Sequence, residues 1–223
     1  MAKTIDVFLE VGSKRVLASA VDWPGWCRGG QDADEALQAL LDYGPRYQKI
    51  VGRSRLGFKP PKSVDAFKVV ERLKGNATTD FGVPALVARG EQKPLTAAGL
   101  KRLQAILKAC WRAFDSEVER AQGRTLRKGP RGGGRSTSGI AEHVLGAEYE
   151  GYLKSLGGQP AKGAPIDEQR TLILATLEAS ARGETPKVGP RGGKRWPARY
   201  FVRRAAWHVL DHVWEIQDRL TGD

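Results

Sequence analysis

The chain has 223 residues, enough for one large or two modest domains with a hydrophobic core that needs no disulfide staples. Hydrophobic residues make up 40% and charged residues 28%, mean hydropathy is −0.43, and no stretch approaches the roughly 18 apolar residues of a membrane span. The net charge of +12 calls for anionic ligands or partners, whereas two cysteines, Cys27 and Cys110, are too few for a disulfide framework or a cysteine-rich zinc site and are read as reduced.

The start, MAKTIDVFLEVGSKRV, alternates apolar and polar residues and lacks the charged, apolar and small-residue regions of a secretory signal, so a cytoplasmic protein is expected. Residues 4–11 and 15–21 read as a hairpin joined by Gly12-Ser13-Lys14. After Trp23-Pro24-Gly25, the acidic Asp32, Asp34 and Glu35 open a helix that continues through Ala36, Leu37, Leu40 and Leu41 to about Tyr43. Residues 1–52 thus predict a β-β-(β)-α module. Residues 53–94 read as a linker carrying two strand-like segments, 66–73 and 81–88, the second limited to an edge by Pro84.

From Leu95 the period lengthens. Leu100, Leu103, Leu107, Cys110, Phe114 and Val118 recur at three- and four-residue spacing, which predicts an amphipathic helix over 96–122 with Gly123 as its stop. Further helices are expected from Thr137 to Leu156, from Ile166 to Arg182 and from Pro197 to Leu220. Residues 95–223 therefore predict a bundle, and the fold class is α+β: a small N-terminal αβ domain followed by a C-terminal four-helix bundle.

Much of the excess charge lies in two similar loops, GRTLRKGPRGGGR at 123–135 and KVGPRGGKR at 187–195, neither of which holds an acidic residue. Arg131, Arg135, Arg191 and Arg195 stand there beside helix N-termini and are candidate ligands for an anionic cofactor. Solvated loops that keep the protein soluble are the plainer reading of the same charge. Gly129–Ser136 nearly spells a phosphate-binding loop, but it follows a helix end, where that loop needs a buried strand.

All three histidines fall on inward helical stripes. His208 and His212 share a face with Phe201, Ala205, Val209 and Ile216, and residues four apart on a helix lie one above the other. His143 shares a stripe with Ile140, Ala147 and Gly151 on the second helix. A buried imidazole without a partner costs about 1–3 kcal/mol, and one divalent metal ion would satisfy all three rings. Glu142, Asp211 and Glu215 adjoin these positions, yet neighbouring helical residues point elsewhere, so none is assigned as a general base. His143 lies 8 residues after Arg135 and His208 lies 13 after Arg195, so parallel helices would offset the two loops by about 7–10 Å.

RRAAWHVLDHVWEIQDR (203–219), with IAEHVLGAEYEGYL (140–153) upstream, resembles the DinB/YfiT metal-binding bundle superfamily over about residues 95–223. That resemblance implies a divalent metal, commonly zinc or nickel, on His143, His208 and His212. In some members it also implies transfer or isomerisation with a low-molecular-weight thiol (mycothiol, bacillithiol or glutathione) and an electrophilic substrate. VDWPGWCRGGQDADEALQALLDY (21–43) is similar to the HicB-like αβ module, whose antitoxin members commonly continue into a DNA-binding segment; here the helical part follows instead. Three classes stand: a metal-dependent, thiol-using enzyme; a metal-binding protein without catalysis; and a regulator binding nucleic acid or a partner through the basic loops. A second copy of the chain, as a homodimer, is among the partners left open.

Overall fold

A computed structural model describes residues 4–129, 134–189 and 192–220. Strands β1 (Ile5–Val11) and β2 (Val16–Ala20) pair antiparallel with Val11 opposite Val16, and β3 (Cys27–Gly30) extends the sheet beyond β2. Asp32 caps α1 (Ala33–Asp42), its carboxylate accepting from the Glu35 amide at 2.9 Å, and α2 (Gly44–Val51) follows directly. The two helices then serve as the crossover that a parallel pairing requires. Accordingly β4 (Phe67–Lys74) runs parallel to β1, giving the order β3-β2-β1-β4. The strand expected at 66–73 is thus the edge of the N-terminal sheet.

The second expected strand, 81–88, does not form. Asn76 caps a short helix α3 (Ala77–Phe81), accepting from the Thr78 and Thr79 amides, and residues 83–88 run without regular structure. Pro84 removes a ladder donor, while the buried carboxylate of Glu10 takes the Ala85 and Leu86 amides at 3.0 and 3.2 Å.

The remaining helices are α4 (Ala97–Arg120), capped by Thr96; α5 (Thr137–Gly146), capped by Ser136; α6 (Leu153–Leu156); α7 (Ile166–Ala181); and α8 (Ala198–Arg219). A π-helical turn over Ala147–Tyr152 joins α5 to α6. The fold is mixed α and β, with the helices dominant. No helix among the described residues is long and apolar enough to cross a membrane.

The sequence predicts one apolar stripe on α8, yet almost every residue from Tyr200 to Ile216 is buried. A helix buried all round is a central pillar. The sheet side covers the face that would otherwise meet water: Gly25, at φ +92°, lets its turn approach Ala206 and Leu210, Arg28 pairs with Asp211 at 3.2 Å, and the Tyr43 ring stands edge-on to Trp214 at 4.8 Å. Leu17 and Cys27 pack on Trp207, and Arg203 lies over Phe8, whereas Val7, Leu9 and Ala18 join the main core with Trp26 and Leu40. Both faces of the sheet are therefore covered at β1 and β2, which explains why Glu10 and Ser19 are buried at positions where alternation predicts solvent.

Backbone bonds fix the direction of α5 and α6 relative to α8. The Arg127 amide donates to Arg219 O at 2.8 Å near the end of α8, and the Trp196 amide donates to Ser155 O at 3.0 Å just before its start. α5–α6 therefore runs antiparallel to α8. Arg135 and Arg195, the last residues of the two basic loops, lie at opposite ends of a 22-residue helix, about 33 Å long at 1.5 Å per residue.

Candidate metal centre

The antiparallel arrangement brings the histidines to one level. Arg135 O accepts from Arg219 Nη2 at 2.9 Å; eight residues onward is His143, and seven residues back along α8 is His212. The three rings form a near-equilateral triangle with centroid separations of 5.0 Å (His143–His208), 5.1 Å (His143–His212) and 4.9 Å (His208–His212). One ring nitrogen from each lies within 4.8 Å of the others, and the Nε2 atoms of His143 and His208 are 3.1 Å apart. Two imidazoles bound to one tetrahedral ion at about 2.0–2.1 Å have their nitrogens about 3.3 Å apart, so this pair already stands at chelating distance. The π turn begins four residues beyond His143, and Tyr152 at its end reaches His208, with ring centroids 5.6 Å apart.

Burial pushes the His208 imidazolium down to about 2, with the charges of His212, Arg204, His143 and Arg135 acting in the same sense. His143 is lowered as well, first by desolvation and then by Arg135 and His212, against the opposing pull of Glu215. Neutral imidazoles are the metal-binding form. His208 Nδ1 is buried and has no hydrogen-bond partner among the described residues.

His212 is held differently. Its Nδ1 is 2.7 Å from Glu215 Oε2, and because a carboxylate only accepts, Nδ1 carries the hydrogen, the tautomer whose neutral form presents the Nε2 lone pair. Glu215 Oε1 accepts from Arg219 Nη1 at 2.5 Å, and Arg219 Nε donates to Arg127 O at 2.7 Å. The His212 bond, helped by Arg219, holds the Glu215 carboxyl below the usual range. Gly134 leaves room for the Arg219 guanidinium, which a Cβ there would strike. Glu215 lies three residues after His212, a spacing that places both on one face and that sequence reasoning could have used.

The chain matches no family model, no curated protein and no solved structure. What the centre can do follows from its own side chains. Three imidazoles, one of them oriented by a carboxylate, could hold one metal ion. Of the other neighbouring acids, Asp211 is turned to Arg28, and Glu142 is exposed. Burial raises both thiols, Cys27 to about 12 and Cys110 further, so neither supplies a thiolate near neutral pH.

The arginines named from the loops divide. Arg131 and Arg191 lie outside the described residues. Arg135 is exposed beside the cluster, and its charge is felt by His143 and His208. Arg195, at the far end of α8, donates to Pro186 O at 2.9 Å, Lys154 O at 2.5 Å and Val188 O, so its guanidinium ties the loop to α6. A cation that the loop pattern does not include, Arg204, stands one helical turn before His208, 5.2 Å from the Tyr152 ring and 4.7 Å from that of Trp207. Its i,i+4 spacing from His208 was the available signal.

Proposed function

We propose that this protein is a DinB-like metal-binding protein in which His143, His208 and His212 hold one divalent ion, zinc or nickel, between the second and fourth helices of a C-terminal bundle, with a HicB-like module attached. The observation that carries this reading is the convergence of three imidazoles with His208 and His143 Nε2 atoms 3.1 Å apart and His212 oriented by Glu215. His208, buried with its Nδ1 unbonded among the described residues, carries a desolvation cost that ligation of its other nitrogen would offset.

The reading extends to thiol transfer: the protein would join a low-molecular-weight thiol, mycothiol or bacillithiol, to an electrophilic substrate. When bound, the ion supplies Lewis acidity at its open position and lowers the pKa of a thiol there. His208, neutral and enclosed by Tyr152 and Trp207, keeps bulk water from that side. Glu215 fixes the His212 tautomer, and Arg135 adds positive potential at the rim.

The test is incubation of metal-loaded protein with each thiol and monobromobimane. Conjugation above the uncatalysed rate that disappears in His208→Ala supports the transferase. A loaded protein with no acceleration leaves a metal centre without this chemistry.

A further inference from the structure

The charge around the histidines does not balance. Three imidazoles bring no negative charge to a divalent ion, and the carboxylate beside them, Glu215, is already shared between His212 and Arg219. Arg135 adds a cation on one side. Arg204 adds another on α8; its Nη1 is buried, and among the described residues it has no hydrogen-bond partner and no carboxylate pairs with it. Tyr152 and Trp207 hold its plane by cation–π contacts, and Tyr152 also touches His208, so the same aromatic ring orients the arginine and borders the metal centre. A desolvated guanidinium hydrogen with nothing to bond is costly, and a planar fork of donors is matched best by a carboxylate.

We infer that the face of the centre beside Arg204 receives its small-molecule ligand by a carboxylate, which pairs with Arg204 while the other end of the ligand meets the open side of His143, His208 and His212. Arg204 and His208 are four residues apart, about 6 Å along the helix axis and on one face of it, which favours a short ligand over an extended one. Arg204 is thus the specificity-determining residue, and the ligand class is a short carboxylate bearing a soft or anionic donor. The inference rests on the metal reading above.

The test uses the full chain loaded with cobalt(II), whose visible spectrum reports ligation before any thiol is added, and compares 3-mercaptopropionate with its neutral amide by the thiolate-to-cobalt absorption. The acid should bind about tenfold more tightly than the amide in the wild type, as expected for one charge-assisted hydrogen bond in a part-buried site. Arg204→Gln should bring the two to near parity with the cobalt spectrum unchanged, and Arg204→Lys should keep part of the preference. Failure of cobalt to bind removes the metal reading and this inference with it. Cobalt binding with equal affinity for acid and amide in the wild type, or with neither thiol bound, overturns the inference alone, and needs no variant to fold.

Discussion

Replacing Glu215 by Gln tests whether the orientation of His212 matters to the centre. In the native chain a charged acceptor takes the His212 Nδ1–H at 2.7 Å, and Gln preserves the shape and an acceptor oxygen but loses the charge. A charge-assisted bond is about twice as strong as a neutral one, so the loss is about 1–2 kcal/mol, or about 5–30-fold in metal affinity. Glu215→Leu removes the acceptor altogether and should reach the upper range known for lost second partners of metal ligands, about 100-fold. The assay is zinc or cobalt titration against a chromophoric chelator at constant pH, with thermal unfolding of the apo forms as a control. Arg219 keeps its bonds to the Arg127 and Arg135 carbonyls, so apo stability should fall little in Glu215→Gln and further in Glu215→Leu, where the buried Arg219 Nη1 loses its acceptor. Wild-type affinity in both variants would refute the role given to Glu215.

Glu148, in the π turn, is buried with both oxygens 3.1 Å from Trp111 Nε1, and desolvation raises its pKa from 4.5 to about 7. The folded state therefore holds this proton more tightly than the unfolded chain: the stabilisation is complete below about pH 4.5 and is lost as pH rises through about 7, a total of up to about 3 kcal/mol. Glu148→Gln should flatten that slope in urea titrations between pH 5 and 8, and a slope equal to that of the wild type contradicts the assignment. Arg203 Nε bonds Glu91 at 2.5 Å and Nη1 lies 3.6 Å from buried Glu10, so Arg203→Met should cost about 3–5 kcal/mol, with Glu10→Gln recovering part of it in the double variant. Additive costs would show that the pair is not coupled. Gly25→Ala imposes a left-handed residue whose Cβ meets Leu210 Cδ1 at 3.0 Å, and should cost about 1–3 kcal/mol of unfolding free energy. A neutral result would mean that the turn does not rest on α8.

Helices α4 and α8 were legible because their apolar residues recur at helical spacing, and α4 also because Gly123 stands just past its end. The histidines were legible for the same reason: period places a side chain on a face. Period is silent about what covers the opposite face. Glu10, Ser19 and Arg203 look like solvent positions in the sequence and become buried only because β1 and β2 lie against α8, a contact between residues nearly two hundred apart. Residues 66–73 carried a strand pattern, but their parallel pairing with β1 depends on the crossover through α1 and α2, which no local signal encodes. The direction of α5 relative to α8 was likewise set by tertiary bonds at Arg127 and Trp196. Beyond its spacing from His208, Arg204 is not distinguished by local sequence, because its contact is with the Tyr152 ring, which is placed by the π turn.

The central claim is that the three histidines bind one metal ion. It is tested most directly by equilibrating the demetallated chain with zinc, removing free metal and measuring bound metal by mass spectrometry in the wild type and in His208→Ala. One ion per chain in the wild type, lost in the variant while its fold persists by circular dichroism, is the expected result. A wild-type chain that retains no metal, or a variant that retains it in full, would contradict the account.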